Sequence, residues 1–143
     1  MNYLNKYNIG FESKEYLPNK IYLNCYRRNH SKFLTNYFNL SENGIDYYNN
    51  YNIGFEFKEC FSNKKQFIRF KIPLKQVKLN PYFVFCYANK EYYIVKSSVF
   101  KKYSFNNGYC TIKLTTIKNL AFFRTFDIFK LKDKIESIKE LIK

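Results

Sequence analysis

The chain has 143 residues, with 25 Lys+Arg against 11 Asp+Glu, one His, four Cys and no Trp. That length suits a single domain spanning 1–143 with a substantial core, and 46% apolar residues exclude wholesale disorder. The lone histidine excludes a zinc site built on two histidines or a nuclease using a histidine pair, and without a CxxC pair no structural zinc is expected.

Residues 1–24 carry no clear periodicity. Residues 31–40 place Phe33, Leu34, Tyr37, Phe38 and Leu40 at helical spacing, with Ser31 as a cap. A turn at 41–44 leads into a strand over Ile45–Tyr48, a tight turn at Asn49-Asn50, and a second strand over Tyr51–Glu59. A third strand is predicted over Gln66–Ile72 and a short helix over Pro73–Leu79, opened by proline and closed by Asn80-Pro81. Tyr82–Ala88 is almost wholly apolar and predicts a central strand buried on both faces. Asn89-Lys90 turns into a strand over Glu91–Lys96, followed by a short helix through Lys102. Asn106-Asn107-Gly108 is a turn, and Tyr109–Thr116 reads as a strand. From about 127 to 143, apolar residues at 128, 131, 135, 138, 141 and 142 form one stripe of an amphipathic helix that packs on the body. The pattern is α/β (α+β), with a mixed central sheet flanked by helices.

The run Tyr82–Ala88 is far short of the roughly 20 apolar residues of a spanning helix, and the N-terminal residues lack the apolar stretch of a signal peptide. No membrane association is expected, and the chain reads as soluble, intracellular and cytoplasmic. Cys25, Cys60, Cys86 and Cys110 are then read as small, reduced core residues.

The net charge is +14. Part of the lysine and asparagine content fits an AT-rich coding sequence, but that bias does not suppress acids to three Asp and eight Glu. A polyanionic partner, DNA first, is expected. The cluster Arg27-Arg28-Asn29-His30-Ser31-Lys32 offers Arg27, Arg28 and Lys32 as phosphate contacts. His30 itself is not assigned as a general base.

One constellation carries chemistry. Nine residues separate Asp46 from Glu56-Phe57-Lys58. In the second strand Ile53, Phe55 and Phe57 share one face; Gly54, Glu56 and Lys58 share the other, Glu56 and Lys58 about 7 Å apart. Gly54 is expected to leave room for a ligand. Two neighbouring carboxylates are a hard-oxygen site for Mg2+ or Mn2+, which retains water and binds substrate phosphate. A lysine beside them can orient water or stabilise charge on the phosphate. The bland alternative is a surface hairpin whose Glu56 and Lys58 are merely solvated.

Asp46, Glu56 and Lys58 in this order and spacing resemble the PD-(D/E)xK nuclease superfamily, and the similarity runs over residues 44–103. It continues through Arg69-Phe70-Lys71-Ile72, a short helix bearing Gln76, the strand Tyr82–Ala88 and the hairpin into Tyr92-Tyr93-Ile94-Val95. Ile45 stands where many members have proline. The resemblance implies a restriction-endonuclease-like fold and a metal-dependent DNA endonuclease of restriction or homing type. It makes Asp46 and Glu56 metal ligands and Lys58 the water-assisting residue, with Glu12 as a third carboxylate. Gln76, Arg69 and, more weakly, Gln66 become candidates to face the scissile phosphate, and Lys71 a DNA contact. A homodimer would place one active site on each strand. The alternatives are a Holliday junction resolvase of the same superfamily and a non-catalytic basic module that binds nucleic acid.

Overall fold

The computed structural model describes residues 23–25 (backbone only), 30–41, 44–61 and 68–139. In chain order these form β1 (Leu23–Cys25), α1 (Lys32–Thr35), β2 (Tyr47–Tyr48), β3 (Gly54–Cys60), β4 (Ile68–Pro73), α2 (Leu74–Leu79), β5 (Tyr82–Tyr87) and β6 (Glu91–Lys96). A 3-10 helix (Ser97–Lys102), β7 (Tyr109–Lys113), α3 (Leu114–Leu120), β8 (Phe123–Thr125) and α4 (Ile128–Ser137) follow.

The fold is α+β, built on a five-stranded mixed sheet in the order β2-β3-β5-β6-β8. β3 and β5 run parallel; the other pairs are antiparallel. A second sheet, β1-β4-β7, lies beside it. Register assigns the faces. Lys58 stands opposite Phe85 and Cys60 opposite Tyr87, and this face packs on Ile68, Phe70 and Ile72 of β4 and on Leu114 and Ile117 of α3. The other face carries Phe55, Phe57, Tyr82, Val84, Tyr92 and Ile94 against Leu34 and Phe38 and against Ile128, Leu131 and Ile135 of α4. The large sheet is therefore covered on both sides, which explains the unbroken apolar run of β5.

Several expectations are met closely. The hairpin β5–β6 turns at residues 88–90, and the stripe Ile128, Leu131, Ile135 and Ile138 is buried. Ser31 caps α1 by accepting from the Leu34 amide, although α1 is only four residues long.

Other elements differ. The turn after β2 is a broader loop over residues 49–53, tied by one side chain. Asn49 Oδ1 accepts from the Tyr51 and Ile53 amides, while Nδ2 donates to the Ile135 and Ile138 carbonyls at 2.8 Å each. The predicted strand Tyr109–Thr116 stops at Lys113 and becomes α3, whose Leu114 and Ile117 reach the core at i, i+3 spacing. β8 has no counterpart among the predicted elements. Cys86 and Cys110 are free and buried as expected, but Cys60, fully buried between the sheets, is disulfide-bonded and not a reduced thiol. No helix among the described residues is long and apolar enough to cross a membrane.

Candidate active site

The site forms at the edge of the large sheet, where β2 stops pairing with β3. Their ladder covers only Tyr47↔Phe55 and Tyr48↔Gly54. Beyond it the Phe57 amide would lack a partner in a buried strand. Asp46 supplies one: its Oδ2 accepts from Phe57 N–H at 2.8 Å. This contact fixes the aspartate against β3 from the edge, so that it reaches groups on both faces of the strand.

On one face it meets Glu56. The two carboxyl groups are close enough for the Asp46 charge to act on Glu56, and Lys58 Nζ lies 3.6 Å from Glu56 Oε2. The Glu56 and Lys58 side chains are only 6% and 12% exposed. The solvated-hairpin alternative is thereby overturned: these groups sit inside the protein, where an ionised side chain is costly unless paired. Burial first, and then the Asp46 charge, push the Glu56 carboxyl up to about 8 against the pull of Lys58. Burial draws the Lys58 ammonium below its ordinary value, and the neighbouring carboxylates only partly oppose it.

α2 covers this face. Asn80 Nδ2 donates to the Gln76 carbonyl at 3.0 Å and lies 3.4 Å from Glu56 Oε1. Asn80 Oδ1 and Gln76 Oε1 are both buried without a hydrogen-bond partner. Gln76 is thus near the cluster through its backbone.

On the other face stands a group that sequence reasoning did not use. His30 Nε2 is 3.3 Å from Asp46 Oδ1, and His30 Nδ1 is 3.3 Å from Glu59 Oε2. The Ser31 amide donates to the same Glu59 oxygen at 3.0 Å. Burial pulls the imidazole pKa down, but hydrogen bonds and charge from Asp46 and Glu59 outweigh it and carry it up to about 9. Burial acts upward on Glu59, yet His30 and Ser31 prevail and its pKa is lowered. Glu59 follows Phe55 and Phe57 on the helix-packed face, so no period-2 pattern marks it. His30 comes from 16 residues upstream of Asp46, where only its rarity could have singled it out.

The remaining sequence candidates lie elsewhere. Arg69 and Lys71 alternate with buried Ile68, Phe70 and Ile72, so they occupy the face of the small sheet turned away from the large one. Lys71 Nζ lies over the Tyr109 ring at 4.3 Å. Neither joins the Asp46 cluster. Lys32 is exposed at the start of α1, next to Ser31. Glu12, Arg27, Arg28 and Gln66 lie outside the described residues. Gly54 does not open space for a ligand: a Cβ there would stand 3.0 Å from Ile45 Cγ2, so the glycine admits the isoleucine side chain. Of the cluster, Asp46 lines an open groove of about 540 Å3, with Gly44, Ile45, Tyr48 and Leu79 among its other walls, while Glu56 and Lys58 lie behind it.

Among the described residues no group of three or more His, Cys, Asp or Glu has the arrangement of a protein-only metal cage. The donors present are oxygens: two neighbouring carboxylates, with the unpartnered amide oxygens of Gln76 on α2 and of Asn80 just after it. That set suits a hard divalent cation bound through one or two carboxylates and water. Burial first and then the Asp46 charge hold Glu56 toward its protonated form, and the second of these is a like-charge repulsion that a cation relieves. No family model matches the chain, and no curated protein or solved structure gives a significant match.

Proposed function

We propose that this chain is a metal-dependent DNA endonuclease, of restriction or homing type, that hydrolyses phosphodiester bonds at Asp46, Glu56 and Lys58. The supporting observation is the burial of these three side chains as one electrostatic cluster, with Asp46 lining a groove open to solvent. A carboxylate pair and an amine held out of water are expensive to keep for stability alone, and perturbed titratable groups at a cleft mark functional sites.

In this reading Asp46 and Glu56 hold Mg2+ or Mn2+, and the Phe57 amide fixes the Asp46 carboxylate. A divalent cation there supplies Lewis acidity toward a phosphoryl oxygen and acidifies bound water. Lys58 holds positive charge where negative charge develops on phosphate. Asn80 steadies Glu56 from the C-terminal cap of α2. The net charge of +14 draws the polyanion to the protein, with exposed Lys32 one of its contacts and a homodimer the simplest way to cut both strands. A non-catalytic basic module would account for the charge but not for the buried carboxylate pair.

The test is incubation with supercoiled plasmid and with a synthetic four-way junction, in Mg2+ and in EDTA. Metal-dependent cutting of plasmid is expected. Cutting confined to the junction points to a resolvase, and binding of both substrates without cutting, on genomic DNA as well, points to a binding module.

A further inference from the structure

β3 presents Phe55, Phe57 and Glu59 in turn to the helix-packed face of the large sheet, among Leu34, Phe38, Ile128 and Leu131. A carboxylate in that aromatic row breaks the pattern around it. Its side chain is 1% exposed, and one of its oxygens, Oε1, has no hydrogen-bond partner. An apolar residue would cost less here. Breaks of this kind, where a local rule is violated without a packing gain, concentrate at functional sites.

The other oxygen shows what the carboxylate is for. Glu59 Oε2 receives the Ser31 amide at the start of α1 and faces His30 Nδ1. The opposite ring nitrogen, Nε2, faces Asp46 Oδ1. The ring also makes an edge contact with Phe57, centroids 6.5 Å apart. The imidazole is thus held at both nitrogens and at one edge. Asp46 is held at both oxygens, by His30 on one and by the Phe57 amide on the other. Glu59, His30 and Asp46 form a continuous chain running around the strand edge from its helix-packed face to the carboxylate pair.

We propose that His30, oriented by Glu59, is the positioning residue that sets the Asp46 carboxylate for divalent-cation binding. The proposal rests on the nuclease reading above and adds to it two residues with no part in the Asp/Glu-x-Lys pattern. A histidine fixed by a carboxylate commonly orients metal sites as a ligand; here it acts one step out, on the ligand itself. Loss of such a supporting partner typically costs about 10- to 100-fold in metal affinity.

The experiment is Mn2+ titration of the full-length protein by calorimetry, with thermal unfolding of each variant in parallel. Asp46→Ala serves as the reference for a destroyed site. His30→Gln retains a donor in place of Nε2, toward Asp46; His30→Asn retains one in place of Nδ1, toward Glu59. His30→Asn is expected to lose about 10- to 100-fold in Mn2+ affinity, His30→Gln to stay within a few-fold of wild type, and Glu59→Gln to fall between them. A purely structural histidine gives Mn2+ affinities equal to wild type in both His30 variants, whatever their unfolding temperatures, and overturns the proposal. If wild type and Asp46→Ala differ but the His30 variants match wild type, only the positioning role fails. If wild type binds no Mn2+, the metal site and the positioning role fail together. Should one His30 variant not fold, the other against Glu59→Gln carries the same comparison.

Discussion

The Glu56 carboxyl makes the site's response to pH a sharp prediction. Burial and Asp46 raise it to about 8, so at pH 7 about nine-tenths of the molecules carry a proton there. A divalent cation held by Asp46 and Glu56 needs that proton to leave. The ionised fraction rises from about 0.01 at pH 6 to about 0.5 at pH 8. Mg2+ or Mn2+ affinity should therefore rise about 50-fold across that interval and level off above it. Binding at pH 7 should release close to one proton. Calorimetry in buffers of different ionisation enthalpy measures both quantities. Glu56→Gln, which has no proton to lose, should give weak binding with a shallow pH dependence. Affinity flat between pH 6 and pH 8 in the wild type, or unchanged in Glu56→Gln, would refute the coupling of this carboxyl to a metal site.

Other consequences follow from the same geometry. Without metal, a carboxyl raised in the folded state stabilises fully below its unfolded value of 4.5 and loses that contribution as pH rises through about 8. The unfolding temperature of the metal-free wild type should accordingly fall relative to that of Glu56→Gln between pH 6 and pH 8, and an unchanged difference would contradict the buried Glu56. Asn49→Ala removes four hydrogen bonds, two within the β2–β3 loop and two from it to the end of α4, and should cost about 3 kcal/mol in denaturant unfolding, since several buried backbone groups lose partners. Gly54→Ala pushes a methyl against Ile45; a loss of about 2 kcal/mol is expected, relieved in Gly54→Ala/Ile45→Ala by a double-mutant cycle. Duplex-DNA affinity should fall with salt at a log–log slope of about −0.9 per phosphate neutralised, and a flat dependence would remove electrostatics as the source of binding.

What could be read from the sequence was local. β5, β6 and their turn were legible because β5 is almost wholly apolar, β6 carries the apolar run Tyr92–Val95, and Asn89-Lys90 separates them. The stripe of α4 was legible because Ile128, Leu131 and Ile135 recur at helical spacing. The passage from β7 to α3 was not: Thr115-Thr116-Ile117 is β-branched and reads as more strand, and only the burial of Leu114 and Ile117 favours the helix. β8, three residues at a sheet edge, is too short to carry a period. In the site, Glu56 and Lys58 share a face because they are two residues apart on one strand, and Asp46 follows from the hairpin. Glu59 points to the opposite face, and His30 arrives from another segment. Only the short β2, which leaves the Phe57 amide free for Asp46, brings the two faces into one network. Gly54 was misread for a related reason: which face a glycine occupies is local, but what fills the space above it, here Ile45, is not.

Asp46, Glu56 and Lys58 are proposed as hydrolytic machinery rather than a structural ion cluster. The most direct measurement is plasmid nicking by wild type, Asp46→Ala and Lys58→Ala in Mg2+, with DNA binding of all three proteins measured alongside in Ca2+. Nicking is expected to fall by orders of magnitude in both variants while DNA binding persists. Nicking that survives both substitutions would contradict it, as would a wild type that binds DNA and leaves it uncut at every metal concentration.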